Sequence, residues 1–537
     1  MANLQSIWDY MPSRFVTFLS FAFNYHFYQL NVFGYHLFNL AIHLATAILV
    51  WWLTLLTFST PVMKKDKISQ HANLISLLAG LVFVSHPLQT ESVTYICQRS
   101  ASLAALFYLA SLCFYIKSRD AINGVSTSFY YVASLITAIL AMFTKETAIT
   151  LPLMILLYEY CFLKTKKNLE WKTLTPFLLT LLIIPATMFL TKSKMIQAIQ
   201  GITQGPGGIS PMHYLLTEFR VMITYIRLMF LPLNQNLDYD YPISKSIFEM
   251  PTLLSFLFLI TLLFWAKRLF SQYRFVSFSI FWFFLTLLPE SSILPEIDVI
   301  FEHRLYLPLA GFSMFLAGGV YYVFSQRHSK AQGRRISKKL YLSPLLIIIA
   351  CYSVLTYQRN NVWKDEFTLW DDAVRKSPHK PRPYNNRGFI LFKQGNLTRS
   401  LSDFTKVIEI KPDYANAYYN LGLIYYNQGN LTQSLSDYNK AIEIDPSQAV
   451  PFYNRGLLYA KQGIYAQAIL DFTKAIELKP DYEEAYNNRG NVYKIQGDLV
   501  HALSDYDKAI GINPDFAEAY NNRGLIYHPL NAAPYKK

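Results

Sequence analysis

Apolar residues fall in long blocks over the first two thirds of the chain and in a short, strict period over the last third. Ten blocks have or approach the length needed to cross a hydrocarbon layer as helices: 34–58, 72–90, 98–116, 128–143, 147–163, 173–191, 248–266, 275–293, 304–325 and 339–357. Two other stretches are apolar but interrupted. Arg14 to Leu30 is aromatic and mixed, which suits a helix lying at an interface. Met212 to Leu231 carries Glu218, Arg220 and Arg227, which suits a helix lying along the membrane surface. After a single amphipathic segment, WKDEFTLWDDAVRKSPHK, a two-helix unit recurs every 34 residues. The expected class is all-α, a polytopic helix bundle followed by a repeat superhelix. The expected division is an interfacial segment at 1–33, about ten spans over 34–358, a connecting helix at 359–380, and four full repeats plus one partial over 381–537.

Composition excludes an ordinary soluble protein, since 52% of residues are hydrophobic and only 16% charged. The net charge of +14 does not point to nucleic acid, because the basic residues cluster between apolar blocks rather than along a soluble face. They fall on alternate connections: Lys64, Lys65 and Lys67; Lys117 and Arg119; Lys164, Lys166, Lys167 and Lys172; Lys267, Arg268 and Arg274; and Arg327, Lys330, Arg334, Arg335, Lys338 and Lys339. With these on the cytoplasmic side, residues 86–98, 144–147, 192–251 and 289–304 and the whole repeat array face outward. The favoured setting is a bacterial inner membrane facing the periplasm, with an endoplasmic reticulum membrane facing its lumen as the alternative. Cys97, Cys113, Cys161 and Cys351 show no paired spacing, so neither a disulfide framework nor a metal site is expected.

The outward connections carry the candidate chemistry. His86, Glu91 and Arg99, then Lys145 and Glu146, then Asp238 and Asp240, then Glu302, His303 and Arg304 gather on that one side. Ionisable groups beside membrane spans are costly to bury, so four such connections converging on one face favour a site over decoration of the membrane edge. Carboxylates can serve as base toward an acceptor hydroxyl, with Glu91 and Glu302 as candidates. Cations hold phosphate through charge-assisted hydrogen bonds. In the repeats, Asn385, Asn386, Asn420, Asn454, Asn487, Asn488, Asn521 and Asn522 stand on first helices, where an amide side chain can both donate to and accept from a bound peptide backbone. Asn396-Leu397-Thr398 and Asn430-Leu431-Thr432 fit the glycosylation sequon, yet Gly-Asn there is ordinary turn chemistry.

The 34-residue unit has the tetratricopeptide pattern, with Gly388, Gly422, Gly456, Gly490 and Gly524 in the first helix and Pro412, Pro446, Pro480 and Pro514 ending the second. Together with GYHLFNLAIHLATAILV, VFVSHPLQTESVTYICQRSASLAALFYLASL, FTKETAITLPLMILLYE, NLDYDYP and IFEHRLYLPLAGF, the chain resembles the transmembrane and tetratricopeptide repeat-containing O-mannosyltransferases and their bacterial relatives. The resemblance implies a membrane glycosyltransferase of the GT-C type that needs no cofactor. Its implied partners are a polyprenyl- or dolichyl-phosphate sugar, an acceptor protein bound by the repeats, and membrane lipid. It also implies that His86, Glu91, Arg99, Lys145, Glu146, Glu302, His303 and Arg304 surround the donor. The family carries a span and an acidic-pair loop ahead of a segment matched here by Arg14-Phe15-Val16. The one early carboxylate is Asp9, so the principal catalytic acid is expected upstream of this sequence. The alternative is a membrane-anchored scaffold without catalysis, whose repeats assemble partners.

Overall fold

Every expected apolar block lies on helix in the computed structural model, which describes residues 8, 11–119, 124–163, 170–190, 209–292, 295, 296, 298–329 and 338–531. Asp9, residues 192–208 of the long connection expected to face outward, and Lys164, Lys166, Lys167, Lys330, Arg334 and Arg335 of the basic loops lie outside the described residues. The chain divides into two units, Met1–Lys364 and Asp365–Lys537.

The first unit comprises α1 (Phe15–Tyr28), α2 (Val32–Ser59), α3 (Ala72–Ser85), α4 (Gln89–Thr94), α5 (Arg99–Ser118), α6 (Gly124–Met142), α7 (Leu151–Tyr158), α8 (Trp171–Leu179), α9 (Ile183–Leu190), α10 (Pro211–Phe230), α11 (Met250–Leu269), α12 (Arg274–Leu287), α13 (Pro308–Ser329) and α14 (Lys338–Val362). Among the described residues six helical stretches are long and apolar enough to span a membrane, including Val32–Ser59, Ile96–Ser118 and Met250–Leu269, and four shorter apolar helices accompany them. This is a multi-pass membrane protein. Leu254, Leu257, Phe258, Phe264 and Trp265 of α11 are exposed, an apolar face that lipid covers and water would not tolerate. Threonine hydroxyls within α2 bond back one turn, Thr54 to the Val50 carbonyl at 2.7 Å and Thr57 to that of Leu53 at 2.8 Å, so neither of these donors is left bare in hydrocarbon. Gly80 lets α3 lie close on α2, where an added Cβ would stand 3.2 Å from the Ala47 carbonyl oxygen.

Proline explains two of the block ends that differ from expectation. The 72–90 block stops at Ser85, because the residue before Pro87 is driven out of helical geometry and His86 is extended at φ −76°, ψ 125°. The 304–325 block starts as a 3₁₀ turn, Glu302–Leu305, and becomes α-helix only at Pro308, a residue suited to the first helical position. Glu91 therefore sits on the short helix α4 and the Glu302–Arg304 triplet on a 3₁₀ turn, both between apolar helices.

The second unit opens with α15 (Glu366–Lys376), closed at its N-terminus by a capping box on Asp365. Stacked pairs follow: α16 (Pro381–Lys393) with α17 (Leu397–Ile410), α18 (Ala415–Asn427) with α19 (Leu431–Ile444), α20 (Ala449–Lys461) with α21 (Tyr465–Leu478), α22 (Glu483–Ile495) with α23 (Leu499–Ile512), and then α24 (Ala517–Asn531). Gly395 and its equivalents turn each pair at φ near +78°, and Asn396 and Asn430 cap the next helix by accepting from Arg399 and Gln433 N–H. Gly422 passes so close to the second helix that an added Cβ would meet the buried Tyr438 ring at 2.7 Å. Gly422→Ala is expected to cost about 1–3 kcal/mol through overpacking. Gly524→Ala, which enters open space, is expected to be neutral; thermal melts of the two variants check this.

Candidate active site

At one end of the bundle, α4, the 3₁₀ turn at Glu302, the segment after α10 and the chain following α12 bring their charges together. Glu91 and His303, 212 residues apart in sequence, meet with Oε1 2.8 Å from Nδ1, both buried. Burial pushes the Glu91 carboxyl up to about 7 and the His303 imidazole, beside Lys145, down to about 3. At neutral pH the imidazole is therefore uncharged, and Glu91 is divided between its acid and carboxylate forms.

Glu302, 1% exposed, is a hub for donors from the loop after α10. It accepts from the Tyr239 hydroxyl at 2.6 Å, the Asn236 N–H at 2.7 Å and the Gln235 amide at 2.8 Å, with the Arg359 guanidinium at 4.0 Å. Lys145 donates to Glu290 at 2.6 Å, both buried. Burial alone would raise Glu290, but the Lys145 ammonium holds its carboxyl below the usual range. Arg304 donates to Glu296 at 2.6 Å, to the Val299 and Asp298 carbonyls at 3.0 Å each, and to the Tyr214 hydroxyl at 3.3 Å, with Glu218 at 3.7 Å. Tyr214 in turn donates to the Glu290 carbonyl at 2.8 Å, and Tyr225 binds both polar backbone atoms of Phe301 at 3.0 Å. These tyrosines of α10 pin the triplet turn in place. Glu146 accepts from Arg14 and Ser13 at 3.0–3.3 Å, on a more open rim where the Arg14 side chain is 39% exposed.

Two residues from the sequence pattern stand apart. His86 donates from Nε2 to the Met229 carbonyl at 2.8 Å, accepts the Leu88 N–H at Nδ1, and lies 4.4 Å from the Tyr352 ring. Arg99 donates to Asn39 at 2.6 Å and to the Ser20 and Tyr35 carbonyls at 3.2 Å, over the Phe21 and Phe38 rings. Both hold helices together. Glu290, Glu218, Tyr214, Gln235, Asn236, Tyr239 and Arg359 escape a sequence reading. Glu218 interrupting an apolar helix and Arg359 ending an apolar block are the signals that were present. Among the described residues no group of three His, Cys, Asp or Glu side chains is placed to hold a metal ion.

In the repeats the asparagine amides bond from one first helix to the preceding one. Asn420 donates to Asn385 at 3.3 Å, Asn454 to the Tyr419 hydroxyl at 3.4 Å, Asn488 to that of Tyr453 at 2.8 Å and Asn522 to Asn487 at 3.0 Å. Asn386 accepts from Asn385 at 3.3 Å, Asn487 is buried and donates to Glu518, and Asn521 is exposed.

Comparison with known proteins agrees with this organisation. A TPR repeat model matches residues 388–429, 422–463 and 490–531, and a tetratricopeptide repeat model matches 449–482. Protein O-mannosyl-transferase TMTC3 of Homo sapiens is 24% identical over 444 residues, covering 77% of this chain and 46% of the relative. Protein O-mannosyl-transferase Tmtc3 of Drosophila melanogaster is 25% identical over 477 residues, covering 77% and 50%. The chain spans about half the length of these curated relatives. Among solved structures, MamA of Desulfovibrio magneticus is 20% identical, covering 28% of this chain and 85% of that one at a TM-score of 0.26.

Proposed function

We propose that this chain, a homologue of the transmembrane and tetratricopeptide repeat-containing O-mannosyltransferases, moves a sugar from a polyprenyl- or dolichyl-phosphate donor to Ser or Thr hydroxyls of proteins outside the cytoplasm. The observation that carries the reading is the buried network of Glu91, His303, Lys145, Glu290, Glu302 and Arg304, drawn from separate connections to one end of the bundle. So many ionisable groups are costly to take out of water, and a charged substrate is a reason to retain them.

In this reading Glu91 is the base. The acceptor oxygen attacks the anomeric carbon, its proton passes to Glu91, and the bond from that carbon to the phosphate oxygen breaks. His303, neutral beside Glu91, is a positioning residue. Lys145 and the rim residue Arg14 meet the charge left on the lipid phosphate. A furrow of 640 Å³ lined by Leu153, Leu156, Leu157, Phe281, Phe284 and Leu285 lies along the two helical stretches that Lys145 precedes and Glu290 follows, and takes the isoprenoid chain. The repeats bind the acceptor. In this reading His86 and Arg99, whose polar atoms bond to neighbouring helices, support the site rather than touch the donor.

The test is the protein reconstituted in vesicles with a polyprenyl-phosphate mannose and a Ser/Thr peptide. Label is expected on the peptide, and Lys145→Met is expected to raise KM for the lipid donor about tenfold or more while moving kcat less. One observation favours a second reading: Glu302 and Arg304 spend their polar atoms on neighbours, as purely structural ion pairs do. If neither wild type nor variants transfer label, the membrane unit is an anchor and the repeats are a scaffold.

A further inference from the structure

The second repeat breaks a rule that its neighbours keep. In the first, third and fourth repeats an arginine of the first helix forks onto an aspartate 16 residues ahead. Arg387 meets Asp403 at 2.9 and 2.6 Å, Arg455 meets Asp471 at 2.7 and 2.7 Å, and Arg489 meets Asp505 at 2.9 and 2.8 Å. The remaining guanidinium nitrogen reaches 16 residues back, to Asp371 at 2.8 Å, Asn439 at 2.6 Å and Thr473 at 2.9 Å. Arg523 repeats this backward contact on Asp507 at 2.6 Å. Arg387, Arg455 and Arg489 thus each tie two successive helices on that side, and the planar fork matches a carboxylate.

At the register position of these arginines the second repeat carries Leu421. Its aspartate, Asp437, is kept nevertheless and is as buried as its counterparts, 7% exposed against 4%, 6% and 4% for Asp403, Asp471 and Asp505. In place of a guanidinium it receives one hydrogen bond, from the exposed Gln433 amide at 3.3 Å. Burial without a cation pushes its carboxyl up to about 6. Thr405, which an arginine at position 421 would reach by the backward contact, is exposed.

We propose that Asp437 receives the guanidinium of an arginine side chain from a polypeptide bound to the repeats, with Thr405 accepting its outward N–H. The incoming group completes the interaction that the neighbouring repeats make within the chain. An arginine is selected over a lysine because an ammonium cannot supply the two parallel N–H groups that the other three aspartates bind. The inference concerns the repeats alone and holds whether or not the membrane unit transfers a sugar.

The full chain in lipid nanodiscs is titrated with a fluorescent pentapeptide carrying a central arginine and with the same peptide carrying citrulline, followed by anisotropy. The arginine peptide is expected to bind at least about tenfold more tightly, as for hydrogen bonds to charged groups. Asp437→Asn is expected to erase that difference. Leu421→Arg, which fills the slot from within, is expected to erase it as well while raising the melting temperature, which shows that the variant is folded. Equal binding of the two peptides to wild type, no binding of either, or undiminished selectivity in Leu421→Arg overturns the proposal.

Discussion

Glu91→Gln is expected to lower sugar transfer by about 10²- to 10⁴-fold, the contribution typical of a general base. The amide keeps the size and the hydrogen-bond acceptor that faces His303 but cannot take a proton from the acceptor hydroxyl. The pH profile identifies the cause. Burial raises the Glu91 carboxyl to about 7, and a base works deprotonated, so wild-type transfer is expected to climb as pH rises through about 7 and then level off. In the variant this limb is expected to vanish from whatever activity remains. Stability moves the other way. A carboxyl raised in the folded state from its ordinary 4.5 contributes stability fully present below that value and lost as pH rises through about 7. At pH 8 the variant is therefore expected to melt no lower than wild type, which separates a lost base from a lost fold. An unchanged rate and an unchanged profile would remove Glu91 from the reaction.

Glu302→Ala is expected to act on the fold. Three donors converge on this carboxylate from Gln235, Asn236 and Tyr239 within 2.8 Å, and Arg359 stands beyond them. Cutting the side chain back to Ala strands all of them in a buried place, at a cost of about 3–5 kcal/mol, as when one partner of a buried ion pair is removed. The measurement is a thermal melt, paired with hydrogen exchange at the Asn236 amide, which is expected to lose protection as the loop after α10 comes free. A melt indistinguishable from wild type would show that this hub holds nothing. Burial raises the Glu302 carboxyl too, so desolvation is a real cost at this site. The three short hydrogen bonds are what offset it.

The pattern of residues exposed part of the site and concealed the rest for a definite reason. Glu91, Lys145, Glu302, His303 and Arg304 stood out because a charge between apolar blocks is costly wherever the chain places it. The same reasoning selected His86 and Arg99, which hydrogen-bond to Met229 and Asn39 on neighbouring helices. Nothing local separates an arginine that meets a phosphate from one that binds a neighbouring carbonyl. Tyr239, Gln235 and Glu290 carry no signal in isolation, and their roles come from partners 63, 67 and 145 residues away. In the repeats the asparagine series was legible at once. That its amides bond to the preceding helix was not, because the partner lies 35 residues back and only stacking brings it near.

The sequence by itself determined the class of the molecule: long unbroken apolar blocks become helices because a helix satisfies its backbone polar groups within one segment in hydrocarbon, and a 34-residue unit stacks because one helix pair cannot bury its own apolar face. Those are local properties, carried by length and period. Only the tertiary structure decided which charges meet. It paired Glu91 with His303 and Lys145 with Glu290, and it left Asp437 without the arginine that its counterparts hold. Such pairings depend on distances between distant segments, which packing sets and no local pattern records.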